Sequence, residues 1–174
     1  QYFAEGITVL GQTLFMLTYQ ARKILKYDVK TGDMTGSAPW PYQGWGMTTD
    51  GCTLYATSGS TFLYYLDPDS LQITKKVEVR GRNGRPQRNL NELEYVYPYI
   101  WINVWLTSDI LRVNPVTARS DMYFEVSALR RWSGQQTPNG IAYHPNRRGG
   151  LSLLVVGKLW PDQFEIDLSK SELC

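Results

Sequence analysis

The sequence predicts an all-β propeller of about four four-stranded antiparallel blades, and three observations carry that prediction. The chain contains a fourfold internal repeat, the kind of self-similarity that outranks any local signal. Each repeat breaks into short β-branched and aromatic runs separated by turn dipeptides, which is the pattern of strands. The composition agrees: 43% of the 174 residues are hydrophobic and 13% aromatic, with 12 Tyr and 6 Trp, and 15 Gly and 9 Pro as punctuation. No 3.6-residue apolar period persists, and only Val126 to Trp132 offers a helical turn or two.

The elements follow in order along each unit. Four openings are alike: Glu5-Gly6-Ile7-Thr8, Trp45-Gly46-Met47-Thr48, Asn91-Glu92-Leu93-Glu94 and Asn139-Gly140-Ile141-Ala142, starting 40, 46 and 48 residues apart. A second apolar stretch follows each opening, at Thr13 to Leu17, Thr53 to Thr57, Tyr99 to Val104 and Leu151 to Val156. A third ends in a polar turn every time: Ile24 to Asp28, Phe62 to Pro68, Ile110 to Pro115 and Phe164 to Leu168. A fourth is visible after three of the units, near Asp33-Met34, Leu71 to Val79 and Arg119 to Val126. Four strands in 40–48 residues is the period of a propeller blade.

Residues 1–174 therefore read as one propeller domain. The chain opens directly on an inner strand, and its fourth unit reaches Cys174 without an outer one. A propeller ring usually hides both sheet edges by closing on itself. The expectation is a ring shortened at its N-terminus by one blade, with a closed four-bladed ring as the alternative.

Charge and composition exclude several classes. A formal charge of +2 argues against a nucleic-acid partner. No apolar run approaches the roughly 18 residues of a spanning helix, so no membrane partner is expected. Two cysteines and one histidine supply neither a disulfide framework nor a His/Cys metal centre. Arg80, Arg82, Arg85 and Arg88, interleaved with Gly81, Gly84 and Pro86, read as a solvated loop between blades. Arg147 to Gly150 reads as a hairpin turn, and His144 lacks neighbouring ligands.

A few side chains stand where chemistry could use them. Glu5 lies at the inner end of a strand between Phe3 and Trp45, where partial desolvation would raise a carboxylate's affinity for protons. The plain alternative is a polar residue pairing with the next blade. Trp45 and Trp105 open and close inner segments of different blades, so they can form aromatic walls across a mouth or simply pack blades together. Phe3 and Tyr19 belong to the same wall, whereas Trp101 and Trp160 suit the core or lip. Asn91 offers a donor and an acceptor to an amide, or caps its own turn. Lys158, between Gly157 and Leu159-Trp160-Pro161, is an ammonium that could face a developing oxyanion or pair with Glu92 or Glu94.

Six ordered strings sharpen this reading: Tyr2-Phe3-Ala4-Glu5-Gly6, Gly44-Trp45-Gly46-Met47-Thr48-Thr49-Asp50-Gly51, Leu90-Asn91-Glu92-Leu93-Glu94-Tyr95, Trp101-Ile102-Asn103-Val104-Trp105, Asn139-Gly140-Ile141-Ala142 and Gly157-Lys158-Leu159-Trp160-Pro161. Together they resemble the glutaminyl cyclases of the plant and bacterial type, over essentially the whole chain. The resemblance implies a five-bladed propeller that converts an N-terminal glutamine of peptides or proteins to pyroglutamate and releases ammonia. It implies Glu5 as the acid/base residue, with Phe3, Tyr19, Trp45, Asn91, Trp105 and Lys158 binding substrate. It also implies no organic cofactor and no metal, a monomer, and a secretory, extracellular, vacuolar or periplasmic setting. A non-catalytic propeller that binds peptide N-termini or glycans is the alternative. Three departures stand out: the family's Phe-Thr-Gln-Gly and Glu-Ser-Thr-Gly stretches are absent, Ser58 stands where aspartate is usual, and Tyr19 where tryptophan is common.

Overall fold

The computed structural model describes residues 2–129, 137–145 and 150–168. They form four antiparallel sheets in chain order, and each strand pairs with the next. Sheet 1 holds β1 (Ala4–Leu10), β2 (Thr13–Thr18), β3 (Lys23–Asp28) and β4 (Met34–Pro39). Sheet 2 holds β5 (Met47–Thr49), β6 (Leu54–Ala56), β7 (Phe62–Leu66) and β8 (Ile73–Glu78). Sheet 3 holds β9 (Leu90–Val96), β10 (Tyr99–Val104), β11 (Asp109–Val113) and β12 (Ser120–Glu125). Sheet 4 has three strands among the described residues: β13 (Pro138–Pro145), β14 (Leu151–Gly157) and β15 (Phe164–Asp167).

One local device builds three of the outer hairpins. At the end of the third strand, Asp28 Oδ1 accepts from the N–H of Lys30 and Thr31 at 2.8 and 2.9 Å. Asp67 Oδ1 accepts from Ser70 N at 2.7 Å, and Asn114 Oδ1 from Val116 and Thr117 N at 2.8 and 3.1 Å. A short polar side chain that caps its own turn is what makes the polar end of these three stretches a reversal. The same turns place Leu71 and Ala118 at positive φ (57° and 56°), where sheet 1 has Gly32.

The fourth strand of sheet 1 is longer than the expected pair Asp33-Met34. Thr35, Gly36 and Ser37 give no apolar alternation, and pairing from Tyr27↔Met34 to Lys23↔Pro39 imposes the extended form instead. Residues 127–129 are helical; the remainder of the turn anticipated as far as Trp132 lies outside the described residues, as do residues 147–149 of the anticipated hairpin and Cys174. The arginine segment folds as a small hairpin, with Arg80 bridged to Pro86 and a 3-10 turn at Arg82–Gly84. Arg82 stacks on the Tyr123 ring of sheet 3 at 4.4 Å.

The inner strands β1, β5, β9 and β13 lie side by side, each packed on the next. The core is divided accordingly into three clusters, one at each junction between consecutive sheets. Phe15, Leu17 and Ile24 meet Trp40, Met47 and Leu54 between sheets 1 and 2. Tyr55, Leu63 and Val79 meet Leu90, Ile100 and Leu111 between sheets 2 and 3. Trp101 and Ile110 meet Ile141, Leu153 and Val155 between sheets 3 and 4, which puts Trp101 in the core. Among the described residues no such cluster joins sheet 4 to sheet 1. Ile7 and Val9 of β1 stay exposed, as do Tyr143 and Val156 of sheet 4.

Candidate active site

A cavity of about 530 Å³ opens where the inner strands begin. All seven residues singled out from the sequence line it: Glu5 and Phe3 from the start of sheet 1, Tyr19 from the end of β2, Trp45 before β5, Asn91 on β9, Trp105 after β10 and Lys158 after β14.

The repeat explains the convergence. Glu5, Trp45, Asn91 and Asn139 are the first residues of the four openings, and all four line the cavity. A second equivalent position follows the second strand of each sheet: Tyr19, Ser58, Trp105 and Lys158. Three of them share one bond, Tyr19 N donating to Phe3 O, Trp105 N to Asn89 O and Lys158 N to Thr137 O. All four stand nine residues before the polar residue at the end of the third strand, Asp28, Asp67, Asn114 and Asp167. Three of those four line the cavity; Ser58 instead hydrogen-bonds Ser60 Oγ at 2.9 Å.

Two glycines draw the strands together. A Cβ on Gly6 would overlap the backbone of Gly46 and Met47, and one on Gly46 would sit 2.6 Å from Asn91 O. Only a residue without a side chain allows backbones this close. The contacts bring Glu5 beside Trp45, and Trp45 beside Asn91.

Aromatic rings form the walls. Trp45 and Trp105 meet edge-to-face at 5.2 Å and 87°, and Phe3 packs on Tyr19 at 6.2 Å and 61°. Trp45 Nε1 donates to Gln43 Oε1 at 3.3 Å, which fixes the rotation of the indole. Such walls exclude water from an alkyl chain and leave a few polar groups to orient what enters.

Three polar groups face one another across this space. Glu5 is half-buried, and burial pushes its carboxyl above the ordinary range while the Lys158 ammonium pulls it partly back. A carboxyl whose proton affinity is raised this way can accept a proton and return it. Asn91, only 5% exposed, donates from Nδ2 to Asn139 Oδ1 at 2.7 Å. Glu94 accepts from Thr48 Oγ1 at 3.0 Å and from Tyr143 N at 2.9 Å. Glu92 is held well above the usual carboxylate range by burial, then by the charges of Glu94 and Glu5. Neither is paired with Lys158, whose influence falls on Glu5.

Sequence reasoning left out Asn139, Tyr2, Gln20 and Ala21, which also line the cavity. Asn139 was within reach, because it opens the fourth repeat as Glu5 opens the first. The others sit on rim segments that carry no repeat signal. Among the described residues, no group of three His, Cys, Asp or Glu side chains is placed to hold a metal ion.

Comparison with known proteins gives a consistent result. The glutamine cyclotransferase family matches residues 1–168. A glutaminyl-peptide cyclotransferase from Arabidopsis thaliana is 35% identical over 179 residues, covering 98% of this chain and 54% of its own length. The chain thus spans about half of that relative. The crystal structure of Myxococcus xanthus glutaminyl cyclase superposes with a TM-score of 0.86 at 30% identity, over 95% of this chain and 72% of that one. The computationally designed Ika4 protein, at 8% identity and a TM-score of 0.57 over 96% of this chain and 92% of its own, shares the fold alone.

Proposed function

The chain belongs to the glutamine cyclotransferase family, and on that premise we propose that it cyclises the N-terminal glutamine of peptides to pyroglutamate and releases ammonia. The observation that supports this reading is the placement of one half-buried carboxyl of raised proton affinity, Glu5, in an indole-walled cavity with the Lys158 ammonium on its wall. In the reaction the substrate's α-amine attacks its own side-chain amide carbon. A new N–C bond forms, the bond from that carbon to the amide nitrogen breaks, and ammonia leaves.

The ring closure is intramolecular, so the substrate itself supplies much of the proximity. The protein's share is then threefold. Glu5 takes a proton from the attacking amine and returns it to the departing nitrogen, which requires a carboxyl that cycles between its two forms. Lys158 stabilises the negative charge that builds on the amide oxygen. Trp45, Trp105, Phe3 and Tyr19 enclose the two methylene groups and hold the side chain bent toward the amine. The substrate is engaged at its N-terminal residue, and one copy of the chain carries the whole set.

Incubation with the dipeptide Gln-Ala tests the proposal. The expected result is ammonia release matched, mole for mole, by loss of free α-amine. Saturable binding of Gln-Ala with no ammonia above the spontaneous rate would instead identify the cavity as a binding site for peptide N-termini.

A further inference from the structure

We infer that Asn139 decides how the cavity reads a carboxamide, by fixing which end of the Asn91 side chain faces the substrate. This inference rests on the glutamine-cyclising reading and concerns the same site. The side chains of Asn91 and Asn139 come from adjacent inner strands, β9 and β13, and both line the cavity. Asn91 Nδ2 donates to Asn139 Oδ1 at 2.7 Å. An amide group has donors at one end and an acceptor at the other, so engaging the nitrogen determines what the oxygen does. Among the described residues, Asn91 Oδ1 accepts no hydrogen bond. It is the group left to receive one from a substrate.

The backbone keeps the pair in place. The Asn91 carbonyl accepts from Thr57 Oγ1 at 2.7 Å, and Gly46 approaches the same carbonyl so closely that a Cβ would not fit. Asn91 is therefore held from the β5 side through its main chain and from the β13 side through its amide. Rotating that amide alone by half a turn would set its oxygen against Asn139 Oδ1, two acceptors facing each other without a proton between them, and only a joint half-turn of Asn139 would restore a bond. The Asn139 contact disfavours the lone rotation.

The chemical consequence is selectivity. A glutamine side chain offers a carbonyl oxygen and an NH2 group. Lys158 is a donor only, and Asn91 Oδ1 as held here is an acceptor only, so together they match the two halves of a carboxamide. A glutamate side chain carries two acceptors and no N–H, which leaves Asn91 Oδ1 facing another oxygen. Sites built to hydrogen-bond a substrate N–H reject the analogue that lacks it, because their own buried group is left unpaired. Asn139 is in this account a positioning residue acting through Asn91.

The test compares Gln-Ala as substrate with Glu-Ala as competitor, in the wild type and in two variants. Asn139→Ala is expected to raise KM for Gln-Ala about tenfold with a much smaller change in kcat, and to lower the preference for glutamine over glutamate by a similar factor. Asn139→Asp retains an accepting oxygen, so it is expected to keep KM for Gln-Ala within about threefold of wild type. A purely structural role would not be rescued by the aspartate. The inference is overturned if Asn139→Ala leaves both KM and the glutamine preference within twofold of wild type, or if Asn139→Asp is impaired as much as Asn139→Ala. Should the alanine variant not fold, the aspartate variant decides alone, a wild-type KM supporting the inference and a tenfold rise overturning it. If the wild type releases no ammonia, the functional reading fails by itself. Calorimetric titration of Gln-Ala and Glu-Ala into the wild type and the variants then decides the role of Asn139 without turnover.

Discussion

The two sides of the cavity are fastened in different ways. Between β5, β9 and β13 the inner strands are cross-linked by side-chain hydrogen bonds: Thr57 to the Asn91 carbonyl, Thr48 to Glu94, Tyr95 N to Thr48, Tyr143 N to Glu94, and Asn91 to Asn139. Between β1 and β5, among the described residues, no hydrogen bond crosses. The junction there rests on the fit of Gly6 against the backbone of Gly46 and Met47, on the apolar cluster behind it, and on main-chain bonds from Gly44 N to Thr18 O and Tyr19 O just ahead of β5, with no side-chain hydrogen bond from β1 to β5 among the described residues. The cross-linked side carries Asn91, a group that must keep one orientation. The other side carries Glu5, a group that must exchange protons. Orientation is preserved by directional bonds, whereas proton exchange requires only that the carboxyl stay at the right distance in a half-dry place.

The largest way to break this division is to remove the proton carrier and leave everything around it. Glu5→Gln is expected to keep the fold and its affinity for Gln-Ala while lowering kcat by about 10³-fold, within the usual range for general acid–base groups. Steady-state ammonia release together with calorimetric binding checks both halves. A variant with wild-type turnover would remove Glu5 from the mechanism. A variant that also lost binding would show that the carboxyl belongs to recognition.

A contrasting pair of substitutions sharpens the comparison itself. At Gly6→Ala the new methyl meets backbone, which cannot yield, so β1 must shift from β5 and carry Glu5 with it. A displacement of that size at a reacting group costs about 10²-fold in rate. The expected outcome is a large fall in kcat accompanied by about 1–3 kcal/mol of lost stability. Thr48→Val conserves shape but strips a hydroxyl that donates to Glu94 Oε2 and accepts from Tyr95 N, both at 3.0 Å, at a site only 2% exposed. It is expected to lower stability by about 2 kcal/mol through the partners left unpaired, with kcat changed only a few-fold. Denaturant melts and kinetics on both proteins separate the two. Equal losses of kcat would mean that the junctions do not differ in the way described.

How much of this was legible beforehand depended on whether a feature repeats or sits in a string that carries the resemblance. The fold was readable because each unit rewrites the same three stretches, and three units add a fourth after the same Asx-capped turn at Asp28, Asp67 and Asn114. The cavity residues were readable through the strings that carry the family resemblance, which hold Glu5, Trp45, Asn91 and Lys158, whereas the residues alone left each with a plain structural alternative. Asn139 opens a repeat too, but a lone asparagine at a strand start looks like turn chemistry until its partner is known, and that partner is 48 residues away. The length of β4 was not readable, since Thr35, Gly36 and Ser37 become a strand only through pairing with β3. The enclosure of Glu92 was hidden for a related reason. An acidic residue in Leu-Asn-Glu-Leu-Glu looks solvated along the strand, and only the inner position of β9 turns it toward Glu94 and Glu5.

Glu92 gives the smallest expected effect and the most selective one. Burial, the Glu94 charge and the Glu5 charge together hold its carboxyl well above the ordinary range, so the folded protein binds that proton more strongly than the unfolded chain does. With more protons bound in the folded state, stability is greatest on the acid side and falls as pH rises from the ordinary glutamate range through the raised one, by at most about 1.4 kcal/mol per pH unit. Glu92→Gln replaces the protonated carboxyl with a neutral group of the same shape. It is expected to leave stability in acid nearly unchanged, to raise it at neutral pH, and to flatten the slope between, as read from denaturant midpoints across that interval. Because Glu92 takes no part in the proposed proton transfer, turnover of Gln-Ala should change by no more than about twofold. A Glu92→Gln protein that keeps its stability in acid but loses it progressively as pH rises would show instead that Glu92 is a carboxylate with a favourable partner.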